Sequence, residues 1–452
     1  MKRISLLLLV AFGLCSGLPL VARSLLSAEP AAAEEAVRLR LELDRPVLPI
    51  DSREKVVLKV ALDGRRPVTA ARRAPVNLAL VIDQSGSMAG EKIARAREAA
   101  LEAVSRLSPD DLAALVVYDS EVITLVPSRR VGDGEELARA IRQIEAGGGT
   151  ALHGGVVVGA QELRKHIEGA YTHRVLLLSD GQANVGARTP EALGSLGARL
   201  VREGISVTTI GLGLDYNEDL MTRLARRSDG NTYFVARSRD LPRIFAEELG
   251  DVLSIVARRV VIELDFPEGA RPLRVIGREG RVEDGRVYVE LNQLYGGQEK
   301  FALVEVELEP RGGAEERPLA RAQVRFEDAA TARRVSGEAR IGIGFSRDQA
   351  EVVAAANHQV QADYAANRLA ETREEVVALV DAGRQEEAAE RLREVGSSLT
   401  AMGGAFGNAL VLDIAAPAAP AAAKVEADGL SNEERKDYRT RAQQTYNQQR
   451  AE

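Results

Sequence analysis

The chain has one cysteine, Cys15, no tryptophan and four histidines in 452 residues. A single cysteine leaves no intramolecular disulfide, so stability must come from packed cores. His153, His166, His173 and His358 show no metal-ligand spacing and sit in no nucleophilic motif, which argues against a zinc or copper centre built on sulfur and imidazole. Aromatic residues make up 4% of the chain, too few for a platform on which bases or sugars stack. The net charge of −7 is modest and mixed along the sequence. With no basic stripe, nucleic acid is not an expected partner. The glycines 147–149 lack the lysine and spacing of a phosphate loop.

One apolar run stands out, and it opens the chain. Lys2 and Arg3 precede Ile4 to Leu14, followed by small residues, the pattern of an export signal too short to span a bilayer comfortably. Residues 1–33 are read as a signal peptide cleaved after Ala33; Ser24 and Ala28 are rival sites. An uncleaved signal is the one route to membrane attachment. Leu14 stands where a lipoprotein signal needs a small residue before its cysteine, so Cys15 leaves with the signal. The expected destination is the periplasm, the cell surface or the medium.

Periodicity divides the remainder. With 45% apolar residues the chain can build two or three domains. Val37, Leu39, Leu41 and Leu43, and then Val56, Leu58, Val60 and Leu62, alternate with polar positions, the mark of half-buried antiparallel strands. The same pattern returns at Val260 to Phe266, at Ala302 to Leu308, at Ala322 to Phe326 and at Ala339 to Ile343, with a hairpin turn at Asp284-Gly285. Between these sets, apolar strands at 76–82, 112–118, 175–178 and 207–212 alternate with helical stretches at 90–107, 153–168, 190–203 and 240–256. That alternation predicts an α/β unit with a mostly parallel, doubly wound sheet over 74–256. It is inserted in, or packed beside, a β-sandwich made from 34–73 and 257–345; a separate N-terminal hairpin is the alternative. Residues 346–412 predict a helical hairpin with a stop at Gly383. Residues 413–452 read as an Ala/Pro-rich linker and a polar tail, where Ser431 and Glu434 can cap a short helix.

Oxygen-bearing side chains mark the candidate site. Asp83, Ser85 and Ser87 lie in VIDQSGSM, Thr150 follows the three glycines, and Asp180 lies in LLLSDG. Each stands just past an apolar strand or in a glycine turn, so all five can meet at one edge of the sheet. Hydroxyls and carboxylates are hard ligands, suited to Mg²⁺, with Mn²⁺ or Ca²⁺ as alternatives. His153, Asp119 and Asp215 are near enough in sequence to reach the rim, but a first-turn helical residue and solvated loop carboxylates are the plainer readings.

DQSGS at 83–87, GGGT at 147–150 and SDG at 179–181 resemble the metal-ion-dependent adhesion site of von Willebrand factor type A domains, in order and approximate spacing over residues 74 to 255. The resemblance implies a doubly wound sheet. It also implies that Ser85, Ser87 and Thr150 are direct or near-direct metal ligands, while Asp83 and Asp180 act directly or through water. In that family an Asp or Glu of a protein partner completes the coordination. The expectation is therefore an exported, metal-dependent protein-binding module rather than an enzyme. A metal-assisted hydrolase and a scaffold with a purely stabilising metal are the alternatives.

Overall fold

The computed structural model describes residues 36–50, 52–65, 73–168, 171–310 and 316–449. The expected signal peptide, with Cys15, and linker residues 66–72 lie outside them. The chain begins with β1 (Val37–Leu43), a short β2 (Val47–Pro49) and β3 (Glu54–Gly64). It then enters the α/β unit: β4 (Val76–Asp83), α1 (Glu91–Ser105), β5 (Leu112–Tyr118), β6 (Val122–Arg130), α2 (Glu135–Arg142), α3 (Leu152–Arg164), β7 (Thr172–Ser179), α4 (Pro190–Arg202), β8 (Ile205–Leu212), α5 (Glu218–Arg227), β9 (Thr232–Val235) and α6 (Leu241–Leu253).

The sheet of this unit has the order β6-β5-β4-β7-β8-β9. Only β6 runs antiparallel to its neighbour. The central strand β4 is buried along its whole length because helices cover both faces. Leu78, Leu80 and Ile82 pack into one core with residues of α1 and α6. Ala79 and Val81 point the other way, into a core shared with α3, α4 and α5. A strand buried on both faces reads as a continuous apolar run rather than an alternating one. The chain leaves β4 toward β5 on one side and later returns at β7 on the other, so the strand order reverses between β4 and β7. A crevice opens beyond the carboxyl ends of strands at such a point.

After α6 the chain forms β10 (Ile255–Asp265), β11 (Ala270–Ile276), β12 (Gly280–Glu283), β13 (Arg286–Tyr295), β14 (Glu299–Leu308), β15 (Arg317–Asp328) and β16 (Arg334–Ser346). These strands and the three at the start build two sheets, β1-β3-β14-β11 and β12-β13-β10-β15-β16-β2. β3 pairs antiparallel with β14 from Glu54↔Leu308 to Asp63↔Glu299, and β2 adds to the far edge of the second sheet beside β16. Val56, Leu58, Val60 and Leu62 of β3 meet Val260, Ile262 and Leu264 of β10 in the core between the sheets. The α/β unit therefore interrupts a β-sandwich. Ala74, just before it, and Ile255, just after it, share a small core with Tyr295 and Ala329, which sets the two ends of the insertion side by side. The β12–β13 turn is Asp284-Gly285, both with positive φ (51° and 75°), as a two-residue turn between twisted strands requires.

The C-terminal region contains α7 (Gln349–Ala354), α8 (His358–Asp381), α9 (Gln385–Phe406), α10 (Ala409–Ala415), α11 (Ala418–Asp428) and α12 (Asn432–Tyr446). Two expectations are corrected here. The helical hairpin begins with an extra break, because the Asn357 side chain accepts hydrogen bonds from the amides of Gln359 and Val360 and starts α8 anew. The Ala/Pro-rich stretch is helix α11, not a linker. Its Pro420 falls in the first turn, where an amide has no intrahelical partner to lose, and alanine has the strongest helix propensity. The tail is α12, which carries the expected Ser431–Glu434 capping box and is docked on the α/β unit. Lys436 is buried and donates to Glu218 Oε2 (2.5 Å) and to the Tyr216 carbonyl (2.7 Å). Among the described residues no helix is long and apolar enough to cross a membrane.

α8 has a clear task. It covers the outer face of β3, where Val57 and Ala61 pack with Phe301 and Val360. Lys59 points to the same side and holds Glu299 at 2.7 Å and Asp363 of α8 at 2.6 Å. This explains why β3 is buried on both sides although its sequence partly alternates.

Candidate metal centre

β4 delivers Asp83 to the crevice and β7 delivers Ser179 and Asp180 beside it. The two strands are in parallel register, with Ile82 opposite Leu178, so the residues that follow are neighbours. Ser179 Oγ donates to Asp83 Oδ2 at 2.7 Å, and the Ser85 amide donates to Asp83 Oδ1 at 2.8 Å. Ser87 Oγ donates to Asp180 Oδ1 at 2.7 Å and lies 3.1 Å from Ser85 Oγ. A hydroxyl has one proton to give. With the Ser87 proton committed to Asp180, Ser85 must be the donor to Ser87, and the chain of hydrogen bonds runs from Ser85 to Ser87 to Asp180.

Thr150 reaches the cluster from the loop before α3. Glycines make that approach possible: the Gly147 amide donates to the Gln84 carbonyl (2.7 Å), and the Gly86 amide to the Gly148 carbonyl (3.1 Å). Gly148 has φ +77°, and a Cβ there would stand 2.9 Å from Asp119 Cβ. The Thr150 amide is held by Asn184 Oδ1 at 2.8 Å. A Cβ added to Gly181 would lie 3.4 Å from both Ser87 Oγ and Thr150 Oγ1, which places these two hydroxyls around one small space. All five expected side chains thus border one crevice. Four are joined by hydrogen bonds, and Thr150 is brought in through the Gly181 gap.

The electrostatics are unbalanced. Asp83 and Asp180 are both fully buried, and Lys92 Nζ, 2.5 Å from Asp180 Oδ2, is the one cation paired with either among the described residues. Burial pushes the Asp83 carboxyl up to about 6, against the hydrogen bonds from Ser85 and Ser179 that favour its charged form; nearby Asp180 adds to the rise. Among the described residues no group of three or more His, Cys, Asp or Glu side chains could hold a metal. Two carboxylates and three hydroxyls instead make a small, hard, oxygen-only set, left with one excess negative charge after Lys92 is counted, the donor chemistry of Mg²⁺, Mn²⁺ or Ca²⁺. The residues fit such an ion.

Several contributors were not singled out from sequence. Ser179 was adjacent to Asp180 at the end of the apolar run, but its bond to Asp83 depends on strand register. Lys92 begins α1, where a charged residue reads as solvated. Asp119, named from sequence as able to reach the rim, is half-buried there and accepts from Gln84 Nε2 (3.0 Å) and from the Glu121 amide (2.9 Å), bracing the site loops. His153 takes the plainer role, in the first turn of α3.

The family model for the von Willebrand factor type A domain matches residues 77–247. The chain is 26% identical to the protein sll0103 of Synechocystis over 274 residues, covering 58% of this chain and 63% of that one. It is 29% identical to human inter-alpha-trypsin inhibitor heavy chain H4 over 164 residues, 34% of this chain and 18% of that protein. The chain thus spans less than two thirds of either relative. A solved structure, the von Willebrand factor type A protein of Catenulispora acidiphila, superposes with a TM-score of 0.63 at 20% identity, over 80% of this chain and 88% of that one. That likeness is one of fold, and it extends past the α/β unit. Residues 77–247 are a von Willebrand factor type A domain, carried in this chain between strands of a β-sandwich.

Proposed function

We propose that this chain is an exported protein-interaction module whose crevice holds a divalent cation, Mg²⁺ before Mn²⁺ or Ca²⁺, and captures an Asp or Glu carboxylate of a protein partner. Ser85, Ser87 and Thr150 would hold the ion directly, with Asp83 and Asp180 doing so directly or through water. The ion would supply an electrophilic position for an incoming carboxylate. The observation that carries this reading is the pairing of two buried carboxylates and three hydroxyls with a single lysine, at the point where the strand order reverses. Ser179, Asn184 and the glycine loop orient the donors, and Lys92 balances one charge. Export rests on the N-terminal sequence alone.

The test is affinity capture of proteins from the same organism on immobilised chain, in Mg²⁺ and in EDTA, with wild type and Asp83→Ala. Partners retained in Mg²⁺ and released by EDTA, and absent from the variant, support the proposal. A partner bound equally with EDTA overturns it, as does turnover of an ester or peptide library that disappears in Asp83→Ala.

A further inference from the structure

Residues 395–423, which close α9 and form α10 and the start of α11, contain one charged side chain, Asp413, in a chain that is 28% charged overall. Their inner side is used. Val395 and Leu399 of α9 and Val411 and Ala415 of α10 form a core with residues of α8. Their outer side is not covered. Leu410 is 47% and Leu412 38% exposed. Ala401, Gly404 and Ala405 of α9 are exposed as well, and Phe406 is half-buried next to them.

Charge ends where this patch begins. A shallow groove of about 550 Å³ runs between α9 and α11, lined by Glu386, Glu390, Arg393, Glu394, Ser397 and Glu426. Helical spacing carries the same face of α9 on from Ser397 to Ala401 and then to Gly404 and Ala405. One half of the face is acidic, and the other is neutral and apolar.

Gly404 is an independent mark. It lies in the last turn of α9, and a Cβ there would meet nothing within 4 Å among the described residues. Its neighbour Gly403 differs, since a Cβ there would stand 2.7 Å from Leu412 Cδ2. Glycine in a helix costs stability relative to alanine. Packing within the chain accounts for Gly403; close approach of another molecule accounts for Gly404.

Charge and shape identify that molecule. A helix that docks on a membrane brings lysine and arginine to anionic headgroups, whereas this patch is flanked by Glu386, Glu390, Glu394 and Glu426. A partner selected by charge would find Asp413 alone. The patch instead carries both parts of a self-complementary contact: a ridge at Leu410 and Leu412, and a low floor at Ala401, Gly404 and Ala405. The accessible residues between 397 and 423 number about twenty, which is one side of a standard interface, and loss of charge marks the centre of such interfaces.

We infer that this face binds a second copy of the chain in a two-fold dimer. The ridge of each copy seats on the floor of the other, and the acidic half lies at the solvated rim.

Sedimentation equilibrium of the full chain in EDTA tests this. EDTA removes any contact made through a metal in the crevice, so the outcome is independent of that reading. Wild type should form dimers at submillimolar concentration. Leu410→Glu places a charge on the ridge, and Gly404→Gln fills the floor. Both positions are open, so the melting temperature of dilute protein should hold while self-association weakens about tenfold or more in each variant. A chain that stays monomeric throughout that range, a loss smaller than tenfold in either variant, or binding to phosphatidylcholine vesicles in place of self-association overturns the inference.

Discussion

Asp180→Ala will show no saturable Mg²⁺ or Mn²⁺ binding in a titration where the wild-type chain saturates, a loss of about a hundredfold or more. Removal of an outer partner that merely orients a ligand typically costs 10–100-fold, and in the proposed centre Asp180 holds the ion directly or through water. It accepts from Ser87 and holds Lys92, so its loss also frees the Ser85-to-Ser87 chain. Asp83→Asn separates charge from shape. Asparagine can still accept from the Ser85 amide and can donate to Ser179 Oγ, so the loop should stay in place while the buried negative charge is gone. Two carboxylates in one buried cluster raise each other's cost of ionisation. Metal-free Asp83→Asn should therefore be as stable as wild type, or about 1 kcal/mol more so. Mg²⁺ should raise the melting temperature of wild type and leave both variants unmoved. A melting temperature of Asp83→Asn that rises with Mg²⁺ as far as wild type's would show that Asp83 does not serve the ion.

Lys92→Met moves the other way. The lysine ammonium sits on the Asp180 oxygen that faces away from Ser87, where it offsets charge in the absence of metal and competes in its presence. Without it the metal-free chain should lose about 1–3 kcal/mol, the cost of leaving a buried charged group without its partner. Mg²⁺ should restore more stability than it adds to wild type.

Legibility in the sequence followed the reach of each physical cause. β1, β3, β10 and β14 were readable because one face meets the sandwich core and the apolar period is two. β6 was not. Its VITLVPSRR carries Pro127 and two arginines, and as the edge strand it leaves Ile123 and Leu125 exposed. α11 was misread because Pro417 and Pro420 look like breakers until the helix start is known to fall between them. In the crevice, Asp83, Thr150 and Asp180 were visible because each ends an apolar strand or follows a glycine turn, a local signal. Lys92 and Asn184 answer to neighbours brought in from other segments.

Arg174→Met should be among the most destabilising single changes in the chain, by about 3–5 kcal/mol in urea unfolding, because it breaks a buried charge pair at the joint between the two folding layers. Arg174 is on β7 and fully buried. Its Nη1 donates to Thr208 Oγ1 of β8 (2.9 Å), and its Nη2 donates to Gln293 Oε1 (2.5 Å) and Tyr295 Oη (2.7 Å) of β13 in the sandwich. Glu248 of α6, also buried, lies 3.5 Å from Nη1 and accepts from Thr208, Asn231 and Tyr233. Methionine fills much of the volume but leaves Glu248 without the guanidinium beside it and strands Gln293 and Tyr295. The Arg174→Met/Glu248→Gln pair removes both charges and should recover most of the loss. A double variant that loses the sum of the single effects would show that the two residues do not act together. The same contacts tie α6 to the sandwich. Ser254 alone separates α6 from β10, and Glu248 joins the helix through Arg174 to β13, so any displacement of α6 is passed to the sandwich. Hydrogen exchange at 240–260 should change when Mg²⁺ and a captured partner are added to wild type, and Arg174→Met should uncouple that change from the exchange of β13. Exchange at 240–260 that is identical with and without metal and partner would leave α6 a strut rather than a lever.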